Sequence, residues 1–226
     1  MQTQYLSAGE RRQRTVEAVV TLAGTQNPSE ITTAAIAKHM SVTQGALFRH
    51  FPSKDAIWEM VMEWVAEGLL NRIDRAAASE ASPLEALRAV FEGHVSFVIE
   101  HPGVPRMMFG ELQRAEATPA KKVAHGLMRR YAERVTRRLE EAKKIGEVAA
   151  ETDCRAAAIL FIGMIQGLVM QSMLSGHIEA ARTNAAGVFK VFRRGVATHG
   201  GVLAAEGGRS AVRRTTRRTA KGSEKG

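Results

Sequence analysis

A short run of side chains between Thr43 and Lys54 has the chemistry needed to bind DNA. The Gln44 amide can form two hydrogen bonds with an adenine edge, and the Arg49 guanidinium can do the same with guanine or can neutralise a phosphate. Gly45 lets a backbone approach closely, and Lys54 can hold a phosphate together with the free N–H groups at a helix start. The segment therefore predicts a surface that contacts bases and phosphates.

Two short helices joined by a tight turn would present these side chains. Thr32 or Thr33 is expected to cap the first, which ends near Met40, and Thr43 to cap the second, which ends near Phe51. An earlier helix is predicted to start at the capping box Ser7-x-x-Glu10 and to run to about residue 24. The positions expected to pack these helices together are Ile36, Ala37, Val42, Leu47 and Phe51. Three helices in this order indicate a helix-turn-helix.

The rest of the chain also predicts helices. Their expected ranges are about 54–78, 83–100, 105–116, 119–145, 152–174 and 179–198, and Ser82-Pro83-Leu84-Glu85 is a second capping box. No stretch alternates at period two, so no sheet is expected. The predicted fold class is all-α with about nine helices: a helix-turn-helix DNA-binding domain over residues 1–52, and a larger helical effector-binding and dimerisation domain over 53–200.

The charge distribution favours a polyanionic partner. The net charge is +9, and residues 201–226 hold seven Lys and Arg against two acids, which gives this tail +5. The tail lacks the apolar residues needed to offset the entropy of ordering, so a disordered basic segment is expected there. Nucleic acid is the commonest polyanion that a basic protein binds.

Other features limit the function classes. Cys154 is the only cysteine, so neither an intrachain disulfide nor a thiolate metal cluster can form, which fits a reducing cytoplasm. The sequence offers no metal-ligand spacing, phosphate-binding glycine loop or nucleophile motif, so no metal, no cofactor and no enzyme activity are expected. Residues 156–176 carry no charge and are long enough to span a bilayer. Because Gln166, Gln171 and Ser172 interrupt them, a helix buried in a bundle or dimer is preferred to a membrane partner.

The residues that follow Thr32 and Val42 resemble the TetR family of transcriptional regulators. The matching text is T-T-x-x-I-A followed by V-T-x-G-A-L-F-R-H-F-P-S-K-D-A-I, within a similar stretch from about residue 12 to residue 64. In that family the third helix enters the major groove, and a variable helical body binds a small effector and dimerises. The resemblance implies a DNA-contacting set of Thr33, Thr43, Gln44, Gly45, Phe48, Arg49, His50 and Lys54.

Two residues depart from the family pattern. Ser41 stands in the turn where the family usually has glycine, and a left-handed serine should cost about 1 kcal/mol relative to glycine. Phe48 stands where the family usually has tyrosine, so a hydroxyl contact to phosphate is lost while the ring can still pack on the backbone of the DNA.

Two further sets of residues are predicted for the body. Candidates for a largely apolar effector pocket, or simply for the core, are Trp64, Phe91, His94, Phe97, Met107, Met108, Met128, Tyr131, Phe161 and Met164. Candidates for a dimer interface on the last two helices, or for packing within one chain, are Gly163, Ile165, Gly167, Leu168, Val169, Ser172, Phe189 and Phe192.

The sequence thus predicts a dimeric, ligand-responsive transcriptional regulator of the cytoplasm, expected to act as a repressor. It would bind a palindromic operator of double-stranded DNA as a homodimer and respond to an unknown small-molecule effector. Two alternatives stay open. One is a nucleoid protein that binds nucleic acid without sequence preference, and the other is an enzyme with a fused DNA-binding module.

Overall fold

The computed structural model describes residues 7–198, whose fold is helical. They contain nine α-helices, one 3-10 helix and no strand, with a single isolated bridge between Val148 and Ala197. The expectation of an all-α protein with about nine helices is confirmed. The predicted disordered tail, residues 201–226, lies outside the described residues.

The helices follow one another with short connections. They are α1 (Ala8–Thr25), the 3-10 helix (Pro28–Glu30), α2 (Thr33–His39), α3 (Gln44–Phe48), α4 (Lys54–Ala78), α5 (Pro83–Glu100), α6 (Gly103–Gln113), α7 (Pro119–Lys144), α8 (Cys154–Leu174) and α9 (Ala180–Val196). The first three helices form a small N-terminal unit. α4 begins beside that unit and runs on into a larger bundle made by α5 to α9.

Side-chain caps explain most of the helix starts. The box at the start of α1 is complete, because the Ser7 hydroxyl accepts from the Glu10 N–H and the Glu10 carboxylate accepts from the Ser7 N–H. The Thr32 hydroxyl caps α2 and the Thr43 hydroxyl caps α3, each by accepting a hydrogen bond from a backbone N–H of the first turn. At α5 only the Ser82 half of the predicted box is present. The Glu85 carboxylate instead accepts from Arg88 and from Arg193 of α9, at 2.7 Å each.

Two helices differ from their predicted bounds. α6 starts at Gly103 rather than 105, because Pro105 falls in the first turn, where its missing N–H would have no helical partner anyway. α3 is shorter than predicted and ends at Phe48, with Arg49 as its C-cap.

The core of the body is aromatic. Phe91, Phe161 and Phe189 meet with ring centroids 5.5–6.5 Å apart, and Phe192 packs on the last two. Five residues of the predicted interface are buried inside their own chain, which is the alternative of packing within one chain: Ile165, Val169, Ser172, Phe189 and Phe192. They face inward because α8 and α9 pack these sides against each other and against α5.

α6 packs against α1 and so connects the body to the N-terminal unit. Gly103, at the start of α6, is buried against α1, where a Cβ would overlap the carbonyl oxygen of Val20 and lie 2.9 Å from the amide nitrogen of Gly24. Glycine is therefore required for this close approach. α1 and α6 are thus in direct backbone contact.

Candidate nucleic-acid interface

The outward face of α3 is exposed, as a DNA-reading helix requires. Leu47 is buried against the other two helices of the unit, whereas Gln44, Phe48 and Arg49 lie in solvent. Phe48 keeps 42% of its surface exposed although it is large and apolar. An exposed polar and aromatic face on a helix held by two others is the surface that the sequence predicted.

Gln44 is held in place by a neighbouring helix. Its Nε2 donates to the Thr33 hydroxyl oxygen at 2.8 Å, which connects the first residue of α3 to the first residue of α2. The bond restricts the amide, while the Gln44 side chain as a whole stays exposed. Two residues of the predicted DNA-contacting set are therefore brought together.

The turn before α3 is strained, as the departure from glycine implied. Ser41 has a φ of 56°, in the left-handed region, and its neighbour Val42 donates its N–H to Ala37 O at 2.9 Å. Val42 was expected to pack between α2 and α3, but 39% of its surface is exposed. The left-handed Ser41 directs the chain outward at this point. The helices therefore pack through Ile36, Ala37, Leu47 and Phe51, without Val42.

His50, just after α3, lies against α1 rather than standing free. Its Nδ1 is 3.1 Å from the Arg11 guanidinium, which also approaches the other ring nitrogen. The contact braces the end of the reading helix on α1.

Lys54 occupies the first position of α4 and turns toward the 3-10 helix. Its Nζ donates to Ser29 O at 3.2 Å and lies 4.9 Å from the centroid of the Trp58 ring. Burial lowers the pKa of the Lys54 ammonium, and the nearby Arg114 guanidinium lowers it further. To reach a DNA phosphate, this side chain would have to leave both partners.

Three of the ten residues predicted for an effector pocket, Phe91, Tyr131 and Phe161, are fully buried in packing contacts. Met107 also lines a surface groove, and Tyr131 lines another. His94 Nδ1 lies 3.0 Å from the Tyr131 hydroxyl, so this buried histidine has a polar partner. Burial lowers the pKa of His94 to about 4 and raises that of Tyr131.

The outer faces of α8 and α9 expose a group of large apolar residues that sequence reasoning missed. Leu174 keeps 80% of its surface exposed, Val191 72% and Ile159 68%, and Leu160 is also exposed. Gly163 and Gly167, from the predicted interface, lie on α8 with no side chain near their backbones. α8 has the length and apolar composition of a membrane span, with 39% of its most apolar window buried in this chain. Large exposed apolar residues grouped on two neighbouring helices are typical of an interaction surface.

A short reading helix braced by two others, attached to a helical body, defines a DNA-binding regulator of the helix-turn-helix class. Residues 16–61 match the family model for bacterial regulatory proteins of the TetR family, and residues 109–188 match a tetracycline repressor-like C-terminal domain. The chain belongs to the TetR family.

Relatives and solved structures agree with this assignment. The nucleoid occlusion factor SlmA of Vibrio campbellii is 30% identical over 158 residues, which cover 70% of this chain and 81% of that protein. The regulator FadR of Bacillus subtilis, solved in complex with stearoyl-CoA, superposes with a TM-score of 0.71 at 17% identity, over 80% of this chain and 96% of FadR. SmeT, the repressor of a Stenotrophomonas maltophilia multidrug efflux pump, gives 0.69 at 18%, over 88% and 93%. The two structures show a shared fold.

Proposed function

We propose that this protein is a ligand-responsive transcriptional repressor of the cytoplasm that binds a palindromic operator as a homodimer. The observation that carries the proposal is the exposed face of α3. Gln44, Phe48 and Arg49 are exposed there, and the Gln44 amide is held by its hydrogen bond to Thr33. Two such helices, one per protomer, would enter successive major grooves about 34–36 Å apart. Residues 1–52 would form the DNA-binding domain, and 53–200 the domain that dimerises and responds.

The eight DNA-contacting residues divide by chemistry. Gln44 and Arg49 would contact base edges, and Gly45 would allow the backbone to come close. Phe48 would pack on the sugar-phosphate backbone. The remaining four would contact phosphate or support those that do: Thr33, Thr43, His50 and Lys54.

The dimer would form through the outer faces of α8 and α9. Large apolar residues that stay exposed on one protomer lose contact with water when a second copy covers them, which supplies a driving force for association. Gly163 and Gly167 would let the two α8 helices approach closely. This interface replaces the buried part of the set predicted from the sequence.

The effector would be small and largely apolar. The two solved regulators with this fold are described as bound to stearoyl-CoA and as a repressor of a multidrug efflux pump, which supports an apolar ligand here as well. The effector would favour a different separation of the two reading helices, and α4 would transmit it because it begins beside α3 and ends in the body. A ligand changes DNA binding only by its difference in affinity for the two shapes.

Selection of bound DNA from a random pool tests this function. The protein should enrich a palindrome, and Gln44→Ala should relax one position of each half-site, because each bidentate contact is worth about 1–3 kcal/mol of discrimination. Arg49→Ala should act similarly, whereas Arg75→Ala, which removes an exposed charge at the far end of α4, should select the same palindrome. Enrichment of no sequence, or an unchanged consensus in both reader variants, would contradict the proposal.

A second candidate function follows from the relatives called nucleoid occlusion factors. A protein of that kind would occupy many sites along the chromosome rather than a few promoters. Mapping of bound sites in cells separates the two, since a repressor gives few sites upstream of genes. Binding without sequence preference would instead give equal affinity for random DNA and a steep dependence on salt.

A further inference from the structure

A groove lies where the N-terminal unit meets the body. It is formed by the 3-10 helix, the first turns of α4, α6 and the end of α8, and its volume is about 750 Å³, within the range of small-molecule sites. It shares only Met107 with the residues that the sequence predicted for an effector pocket. Its lining includes Lys54, Trp58, Arg106, Met107, Phe109 and Met170.

Three cations line this groove, and two of them stay outside its ion pairs. Neither Lys54 nor Arg106 forms an ion pair with a carboxylate among residues 7–198. The third cation, Arg114, lies 3.2 Å from Glu116, 3.5 Å from Glu111 and 3.9 Å from Asp55, which also lines the groove, and Glu111 accepts from Thr118 at 2.7 Å. The acids of the groove are therefore paired with Arg114, while Lys54 and Arg106 can meet an anion.

The remaining lining is apolar and adaptable. Trp58 and Met107 are buried at the base, Phe109 is half-buried, and Met170 and Met173 close the side formed by α8. Methionine side chains adjust to irregular ligands, and an aromatic ring offers a flat apolar surface. The groove thus combines an apolar base with cations that have no carboxylate partner.

We propose that this groove binds a small anionic amphiphile, with its acidic group on Lys54 and Arg106 and its apolar part against Trp58, Met107 and Met170. The inference rests on the proposed ligand-responsive function and places the ligand between the N-terminal unit and the body. Lys54 is also the proposed phosphate anchor, so one ammonium would serve either the ligand or the DNA. By linkage, each would weaken the binding of the other.

The position of the groove strengthens this coupling. α6 forms one wall, and the same helix is in backbone contact with α1 through Gly103. A ligand that displaces α6 would therefore move the N-terminal unit as a whole. Burial also lowers the pKa of the Lys54 ammonium, and a bound anion would raise it.

Direct binding of decanoate and decyl phosphate, measured by calorimetry on the full chain without DNA, tests the site. Both should bind, and uncharged decanol should bind at least about tenfold more weakly, as expected for loss of a charge-assisted contact. Arg106→Ala should weaken decanoate about tenfold, and Arg75→Ala should not.

A second variant blocks the groove without touching either cation. Gly110 lies on the groove wall in open space, so Gly110→Trp should fill the groove, abolish decanoate binding and leave the selected operator bound. Gly126→Trp, also in open space on a helix but outside this groove, is the matched control.

The two proposals fail in different ways. If neither anion binds, or if decanoate binds Gly110→Trp as tightly as the unchanged protein, the groove assignment is overturned even when operator binding is intact. If no operator can be selected, the proposed function fails while calorimetry still reports on the groove. Decanoate should also lower the affinity of the unchanged protein for its operator, and no change in that affinity would remove Lys54 as the shared group.

Discussion

At the scale of single residues, the turn before α3 stores strain that one substitution can remove. Ser41 is the only non-glycine residue with positive φ among those that the structure describes, and no side-chain hydrogen bond holds it there. Ser41→Gly should raise the free energy of unfolding by about 1 kcal/mol, because glycine adopts this conformation without a Cβ penalty. Chemical denaturation at a fixed protein concentration measures the change. A loss of stability would show that serine contributes a contact of its own.

The buried histidine predicts a dependence of stability on pH. Burial holds the pKa of His94 at about 4 in the folded protein against 6.5 in the unfolded chain, so the unfolded chain binds the proton first. Stability is complete above pH 6.5 and should fall toward pH 4 by up to about 1.4 kcal/mol per pH unit.

Denaturation at pH 7 and pH 5 should therefore give a smaller slope for His94→Gln than for the unchanged protein. Glutamine can still accept from the Tyr131 hydroxyl but does not titrate. His101, whose pKa is also lowered by burial, contributes to the slope of both proteins and cancels in the comparison. Equal slopes would exclude His94 as the group responsible.

At the scale of elements, the sequence predicted where helices begin, but only in part which face of each helix is buried. Ser7, Thr32 and Thr43 were predicted as caps because their hydroxyls can satisfy free N–H groups, and each does so. α8 gave no such guidance, since its apolar residues surround the whole helix and no periodicity marks the inner face. The sequence therefore did not show that Ile165 and Val169 are buried in this chain or that Ile159 and Leu174 are exposed.

The groove was missed for a different reason. Its lining comes from the 3-10 helix, α4, α6 and α8, which are far apart in sequence. Lys54 and Met107 were each singled out, but for separate sites. Only the packing of α6 across the N-terminal unit brings them together, and nothing in local sequence encodes that crossing.

The contact between α1 and α6 predicts a sharp difference between two glycines of one helix. Gly103→Ala should destabilise the protein by about 1–3 kcal/mol, because its Cβ overlaps backbone that cannot yield. Gly110→Ala, on the same helix with open space around it, should be neutral or stabilising. Thermal unfolding compares them at equal concentration. If the two variants unfold alike, the close approach of α6 to α1 is absent in solution.

At the scale of the whole molecule, the outer surface of α8 and α9 should decide the oligomeric state. Ile159→Asp combined with Leu174→Asp should give a folded monomer that binds a palindrome about 100-fold or more weakly, because two reading helices are no longer linked. Sedimentation and circular dichroism report association and folding separately. Ile145→Asp, an exposed apolar residue at the end of α7, is the control that should stay dimeric.

A buried residue of the same region should behave differently. Phe192→Ala should cost about 3–5 kcal/mol of protomer stability by opening a cavity in the aromatic core. A stable monomer from Phe192→Ala, or an intact dimer from the double aspartate variant, would contradict an interface formed by the exposed residues of α8 and α9. It would favour the buried residues that the sequence predicted for the interface.

The hydrogen bond between Gln44 and Thr33 has a consequence for how such a reader diverges. Since the amide that would meet the base is oriented by a hydroxyl on another helix, base preference is encoded by two positions, one of which need never touch DNA. Duplicated copies of this protein could therefore acquire new target sequences through substitution at position 33 alone, with every DNA-contacting side chain on α3 unchanged.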